Sequence, residues 1–277
     1  MCGIYLACSP TSPKRPSSAT EGRLKRRGPD SLRTIQLGPH PLRAEESSAP
    51  CHLIATSSVL TLRNGGTVRQ PVQDISGQSA SFLMWNGEIW NYSGEILLSH
   101  DTNFIFRQLI LATKLEVIAD RDDYSSSADT IQNVVNVFSK ASGPYAFVFY
   151  DSIHQLLFYG RDVLGRRSLL IRKSAAFLEL ASVCGEGDTA DFVEVEANGI
   201  CVLDLRMSTN PDIEGSQRLL TFSEPMVIPW QMEDNMPACP YKLVCDLIFP
   251  LGDLTYKCNS HLRFPLLIEL TAPKMIL

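Results

Sequence analysis

The sequence predicts an α+β protein built in layers, antiparallel sheets in the middle and helices outside. Strand-forming runs crowd together between residues 51 and 183, and two pairs of them are joined by short polar connections of the antiparallel hairpin kind. Two segments of helical periodicity lie among these strands, and runs of strands interrupted by one helical pair argue for that layering.

Residues 1–8 alternate loosely and are rich in strand formers, which places a strand almost at the chain terminus. Ser9 to Ser18 reads as a Pro- and Ser-rich loop, Glu21 to Arg27 as a short helix stopped by Gly28-Pro29, and Gly38 to Pro50 as a second loop. Strands are expected at Cys51 to Leu62, Ser81 to Trp85, Tyr145 to Asp151, Gln155 to Arg161, Ser168 to Lys173 and Phe177 to Val183. The helical pair is Thr102 to Ile118, apolar almost throughout and so covered on most sides, and Asp129 to Lys140. In the second, Ile131, Val134, Val135 and Phe138 recur at i, i+3, i+4 and i+7, with Asp129 as N-cap and Gly143 as stop. The pattern ends near Leu205, which divides the chain into a domain, 1–205, and an irregular tail, 206–277. The tail reads as the remnant of a linker or a truncated product; an extension with its own binding partner is the competing account.

With 277 residues, 44% hydrophobic and 20% charged, the chain has the apolar material for a core, which excludes disordered and collagen-like classes. A net charge of -5 lacks the basic footprint of a nucleic-acid binder, and the one basic run, Arg23 to Arg27, is short. No span reaches the ~20 apolar residues of a membrane helix. The first positive charges follow the apolar start, the reverse of a secretory signal. Eight cysteines without the close pairing of a zinc ribbon or disulfide framework read as reduced thiols. The expectation is a cytoplasmic protein with no nucleic-acid or membrane partner, no metal and no cofactor.

Cys2 is the first residue with chemistry to offer. A small side chain after the initiator Met favours Met removal, which leaves a cysteine with a free α-amine. That amine, with an ordinary pKa of about 7.7–8.0, can take the proton of a thiol near 8.5, so one residue supplies nucleophile and base. An ordinary buried cysteine is the plain alternative. Trp85-Asn86-Gly87-Glu88 ends an apolar strand; it fits a simple Asn-Gly turn, but the Asn86 carboxamide and the Gly87 N–H can also donate together to a developing oxyanion. Glu88 offers a charge for a substrate ammonium. Asp101 reads as the N-cap of the apolar helix, with a second carboxylate oxygen free for an amine. Arg27-Gly28-Pro29-Asp30-Ser31 reads as a turn, and Gly160-Arg161-Asp162 with Leu164-Gly165-Arg166-Arg167 as a strand end and charged turn.

Taken in order, Met1-Cys2-Gly3-Ile4, Arg27-Gly28-Pro29-Asp30-Ser31, Gln70-Pro71, Trp85-Asn86-Gly87-Glu88-Ile89, Asp101-Thr102, Gly143-Pro144-Tyr145-Ala146-Phe147 and Gly160-Arg161-Asp162 through Leu169 resemble the class II, N-terminal nucleophile glutamine amidotransferases. The match spans residues 2 to about 205 and is closest to the asparagine synthetase branch. The forms Trp-Asn-Gly-Glu-Ile and Gly-Arg-Arg-Ser-Leu-Leu resemble the eukaryotic asparagine synthetase domain-containing proteins, whose full-length members add a synthetase-like domain. The resemblance implies a four-layer αββα sandwich and glutamine as substrate. It also implies Cys2 as nucleophile with its own amine as proton shuttle, Asn86 and Gly87 as oxyanion hole, and Glu88 and Asp101 on the substrate's α-amino group.

Two departures follow from the same resemblance. The arginine that clamps the substrate's α-carboxylate in asparagine synthetases corresponds, counting back from Gln70-Pro71, to Val59. Arg63, two strand alternations on and on the same face, is the substitute in reach. Losing a charge-assisted contact of this kind weakens binding about ten- to hundred-fold. Nor does the chain hold the Ser-Gly-Gly-x-Asp loop of an ATP-pyrophosphatase or a Walker A loop, so a synthetase partner or domain is expected to be supplied elsewhere. A catalytically silent, glutamine- or partner-binding module is therefore the rival reading.

Overall fold

The computed structural model describes residues 1–9, 13, 15–38, 52–62, 66–74, 79–114, 126–174, 177–188, 191–205, 208–209, 220–221 and 225–230. Up to residue 96 the strands are β1 Gly3–Ser9, β2 Ser31–Leu37, β3 His52–Val59, β4 Val72–Gln73, β5 Phe82–Gly87, β6 Asn91–Tyr92 and β7 Glu95–Ile96. The next seven are β8 Ala141–Ser142, β9 Tyr145–Asp151, β10 Leu156–Arg161, β11 Leu170–Ser174, β12 Phe177–Ala181, β13 Val193–Glu194 and β14 Gly199–Asp204. Beyond residue 205 come β15 Ser208–Thr209, β16 Leu220–Thr221 and β17 Met226–Pro229. The helices are α1 Ser18–Arg27, α2 Asp101–Lys114 and α3 Ser126–Ser139.

Two six-stranded sheets carry the fold, in the orders β13-β11-β12-β1-β3-β2 and β17-β14-β10-β9-β5-β4. The expected hairpins are present as β9-β10 and β11-β12, both antiparallel. Period-2 alternation decides what lies between the layers. Ile4, Leu6 and Cys8 of β1 and Leu53 and Ala55 of β3 meet Phe82 and Met84 of β5 and Val148 of β9 in a core between the sheets. The opposite face of the second sheet, with Leu83, Trp85, Phe147, Phe149 and Phe158, packs on Ile105 and Leu109 of α2 and on Val134 and Phe138 of α3. The opposite face of the first sheet packs Tyr5 and Ala7 on Leu24 of α1. Helix, sheet, sheet, helix is thus the order of layers: a four-layer αββα sandwich.

Aromatic side chains fix the helical layer in place. Phe138 stacks on Phe147 with centroids 3.8 Å apart, and Trp85 on Tyr145 at 5.0 Å. Fully buried side chains of this size contribute about 1.5–3 kcal/mol each.

The structure differs from expectation in several elements. β2 and β14 had not been expected. β2 is the edge of the first sheet and buries one residue, Ile35, among exposed polar neighbours, so its alternation is faint. Asp129 lies in the first turn of α3, not before it, so it is no N-cap. Past Leu205, β17 pairs antiparallel with β14 and becomes an edge of the second sheet. Residues 1–232 form one unit and 233–277 a second, which lies outside the described residues, as do Cys51 and the expected helical end at 115–118. Among the described residues Cys2, Cys8, Cys184 and Cys201 are free thiols, and no described helix is long and apolar enough to cross a membrane.

Candidate active site

Strand alternation brings the expected residues together. Ile4, Leu6 and Cys8 face the inter-sheet core, so Cys2, in the same phase, faces it at the open end of β1. Phe82 and Met84 face that core from β5, and Asn86 continues their face; Val59 continues that of Leu53 and Ala55 in β3. Cys2, Val59, Asn86, Gly87, Glu88 and Asp101 line one cavity of about 60 Å³, room for a few waters, with Gln70, His100 and Arg167. Arg63 lies outside the described residues.

The thiol of Cys2 is partly buried and donates weakly to the Leu60 carbonyl at 3.9 Å. Burial pushes its pKa up, with the Asp101 carboxylate adding, while the Leu60 contact, the terminal ammonium and Arg27 pull the other way. A thiol in that setting needs a base. The ammonium of Met1 is held below its ordinary value, chiefly by burial and further by the charges of Arg27 and Arg167, against an opposing effect of Cys2. Both guanidiniums reach the Met1 thioether, at 3.7 Å from Arg27 and 3.2 Å from Arg167. Removal of Met1 leaves the new amine one residue further into the same cationic surroundings.

Asn86 is 1% exposed, and its Nδ2 is buried without a hydrogen-bond partner. Such a donor costs about 1–3 kcal/mol until an acceptor arrives. The second donor follows from the ladder. Glu88 N donates to Pro144 O on the β9 side at 2.9 Å, whereas Trp85 N donates to Oε1 of Gln70 on the other side at 2.6 Å. Gly87 shares the phase of Trp85, so its N–H leaves the sheet on the Gln70 side, where the cavity lies. Glycine is required there, since a Cβ would sit 2.5 Å from Tyr145 Cβ and 2.8 Å from Pro144 O.

Asp101 is the first residue of α2, not its N-cap. The cap position belongs to His100, whose carbonyl accepts from Phe104 N at 3.1 Å. Asp101 Oδ2 accepts from Trp85 Nε1 at 3.2 Å and Ile89 N at 3.0 Å, and Oδ1 from Thr102 N at 2.8 Å. Oδ1 also accepts from Thr102 Oγ1 at 3.5 Å, so the carboxylate ties α2 to the end of β5 with both oxygens engaged. Glu88 lines the cavity half-buried, and among the described residues its carboxylate has no hydrogen bond or ion pair.

Residues read as turns in the sequence wall the site. A Cβ on Gly28 would lie 2.4 Å from Val59 N, so the Arg27 to Ser31 turn lies directly on the end of β3. Asp30 Oδ2 takes Thr61 N at 2.7 Å, fixing the cavity rim. Buried Asp162 accepts from Tyr145 N, Leu164 N, Arg166 N and Arg166 Nε, a structural hub as expected. Arg27 and Arg167 were missed as site residues, because one ends helix α1 and the other sits in a turn, and nothing local shows that both close on the N-terminus. Among the described residues, no group of three or more His, Cys, Asp or Glu side chains is placed to hold a metal ion.

The chain is similar to known proteins in both sequence and fold. The family model for a glutamine amidotransferase domain matches residues 58–185. Asparagine synthetase domain-containing protein 1 of Bos taurus is 31% identical over 216 residues, 76% of this chain and 29% of that protein. Its Gallus gallus counterpart is 34% identical over 188 residues, 66% of this chain and 25% of that protein. The chain thus spans less than a third of the length of these curated relatives. Among solved structures, the glutamine phosphoribosylpyrophosphate amidotransferase of B. subtilis, complexed with ADP and GMP, is 15% identical with a TM-score of 0.47, covering 84% of this chain and 50% of that one. Residues 58–185 thus match a glutamine amidotransferase domain, and the chain is similar to part of the asparagine synthetase domain-containing proteins.

Proposed function

We propose that the Met-trimmed protein hydrolyses glutamine to glutamate and ammonia through a thioester on Cys2. The observation that carries this is the buried, unpartnered Nδ2 of Asn86 in the cavity that Cys2 lines. The free α-amine of Cys2 takes the proton from Sγ, and the thiolate attacks the side-chain carbonyl carbon of glutamine. The carbonyl oxygen becomes an oxyanion, held by Asn86 Nδ2–H and Gly87 N–H, at about 3–4 kcal/mol per donor in the transition state. Collapse of that intermediate breaks the C–N bond, the ammonium of Cys2 returns the proton to the leaving nitrogen, and ammonia departs. Water, deprotonated by the same amine, then attacks the thioester and releases glutamate and the thiol. Glu88, together with the Asp101 carboxylate, holds the α-ammonium.

The names of the relatives direct the ammonia toward an asparagine-synthetase type of reaction, so we assign the chain to amino-acid biosynthesis in the cytoplasm, with the synthetase function supplied by another domain or chain. Incubation with an electrophilic glutamine analogue, followed by mass spectrometry, tests the assignment. An adduct on Cys2, and ammonia and glutamate released one to one from glutamine, are expected; a trimmed, folded protein that gives neither is not this enzyme. The second reading, a silent binding module, is favoured by Val59 at the position of the carboxylate clamp. Calorimetric heat on glutamine addition without ammonia release would establish it.

A further inference from the structure

We propose that His100 binds the α-carboxylate of the substrate, in the role that Val59 leaves unfilled. This rests on glutamine as the ligand of the cavity.

His100 lines the cavity beside Asp101, and its Nε2 is buried with no hydrogen-bond partner. Like Asn86 Nδ2, it is a ring or amide nitrogen taken out of water with nothing in return, and a ligand oxygen would satisfy it. The imidazole has an N–H to donate in its Nε2-protonated tautomer and in its charged form. Val59, which also lines the cavity, is 4% exposed and offers it only methyl groups.

Connectivity of the substrate decides between the donors. An amide carbon at Cys2 places the α-carbon at the far end of the side chain, and the α-ammonium and α-carboxylate share that carbon. The acceptors for the ammonium, Glu88 and Asp101, therefore mark where the carboxylate falls, and His100 is the chain neighbour of Asp101. The guanidinium of Arg167, which also lines the cavity, lies toward the opposite end, with Nη1 3.2 Å from the Met1 thioether next to the nucleophile. Placement before the first residue of α2 also puts the imidazole at the positive end of that helix, which suits an anionic ligand.

The test compares glutamine with glutamine α-amide, which keeps the ammonium and side-chain amide but lacks the carboxylate. Calorimetry on a Met-trimmed Cys2→Ala protein reads binding without turnover. Glutamine should bind about ten- to hundred-fold tighter than the α-amide, and His100→Ala in that background should reduce the ratio to near one. His100→Gln, which retains an N–H at similar reach, should restore part of it, an outcome that a merely structural role for the ring does not produce. Thermal melting of both variants checks that the fold is kept. A ratio unchanged by His100→Ala, or absent from the parent, overturns the assignment while leaving ammonia release by the wild-type protein intact. Binding that follows the predicted ratios without ammonia release supports His100 and sinks the glutaminase instead. Failure to bind glutamine at all overturns both.

Discussion

Replacing Asn86 with Ala separates catalysis from stability. The side chain is 1% exposed and its Nδ2 has no partner, so truncation removes an unsatisfied buried donor worth about 1–3 kcal/mol of destabilisation. Against that stands the packing lost with the carboxamide, of similar size. The two nearly cancel, so stability should change by less than about 1 kcal/mol, or roughly 2–4 °C in Tm for a domain of this length. The same truncation deletes half of the oxyanion hole, and kcat should fall about 10²- to 10³-fold with KM little changed. Glutamate production by protein whose N-terminus has been verified by mass spectrometry, alongside thermal melting, reads both quantities. An Asn86→Ala enzyme with undiminished kcat, or one whose loss of activity tracks a large drop in Tm, refutes the oxyanion-hole argument.

Blocking the N-terminus with a short fused peptide keeps the Cys2 thiol but converts its amine to an amide; ammonia release should drop to background while the melting temperature holds. Arg167→Gln removes a positive charge that lowers the terminal ammonium. The amine pKa should rise, and the acidic limb of the kcat/KM profile should move to higher pH; an unmoved limb means that another group is the base. Gly28→Ala forces a Cβ to within 2.4 Å of Val59 N and 2.5 Å of the Ser58 carbonyl carbon. About 1–3 kcal/mol of destabilisation is expected, seen as a lower midpoint in denaturant.

Most strands that were legible in the sequence are buried on both faces, as β3, β5, β9 and β10 are. β9, with every residue buried, reads as a strand at its true ends, Tyr145–Asp151. β2 and β14 were not, for different reasons. β2 buries a single side chain, and β14 opens on Gly199-Ile200-Cys201, whose strand character comes from its partners β10 and β17. At the site, Cys2, Asn86, Gly87, Glu88 and Asp101 line the cavity together because two strand ends and one helix start meet there. His100, Gln70, Arg27 and Arg167 became visible as site residues only with the fold. A histidine before a helix, or an arginine in a turn, has no periodicity that points inward, and its contacts are long-range: Arg27 to Met1, Arg167 to Met1, Gln70 to Trp85. The cap of α2 was assigned to Asp101 for the same reason: cap preference describes the side chain, whereas the first helical hydrogen bond, from Phe104 N, chose the preceding carbonyl.

The pairing of Met226–Pro229 with β14 bears on how the protein is handled in the laboratory. A polypeptide shortened to Leu205 would bare the amides and carbonyls of Gly199–Val202, a row that includes Ile200 and Val202, and a naked, apolar border of that kind recruits strands from other molecules. The segment past residue 225 works as a hem, so soluble expression calls for keeping it.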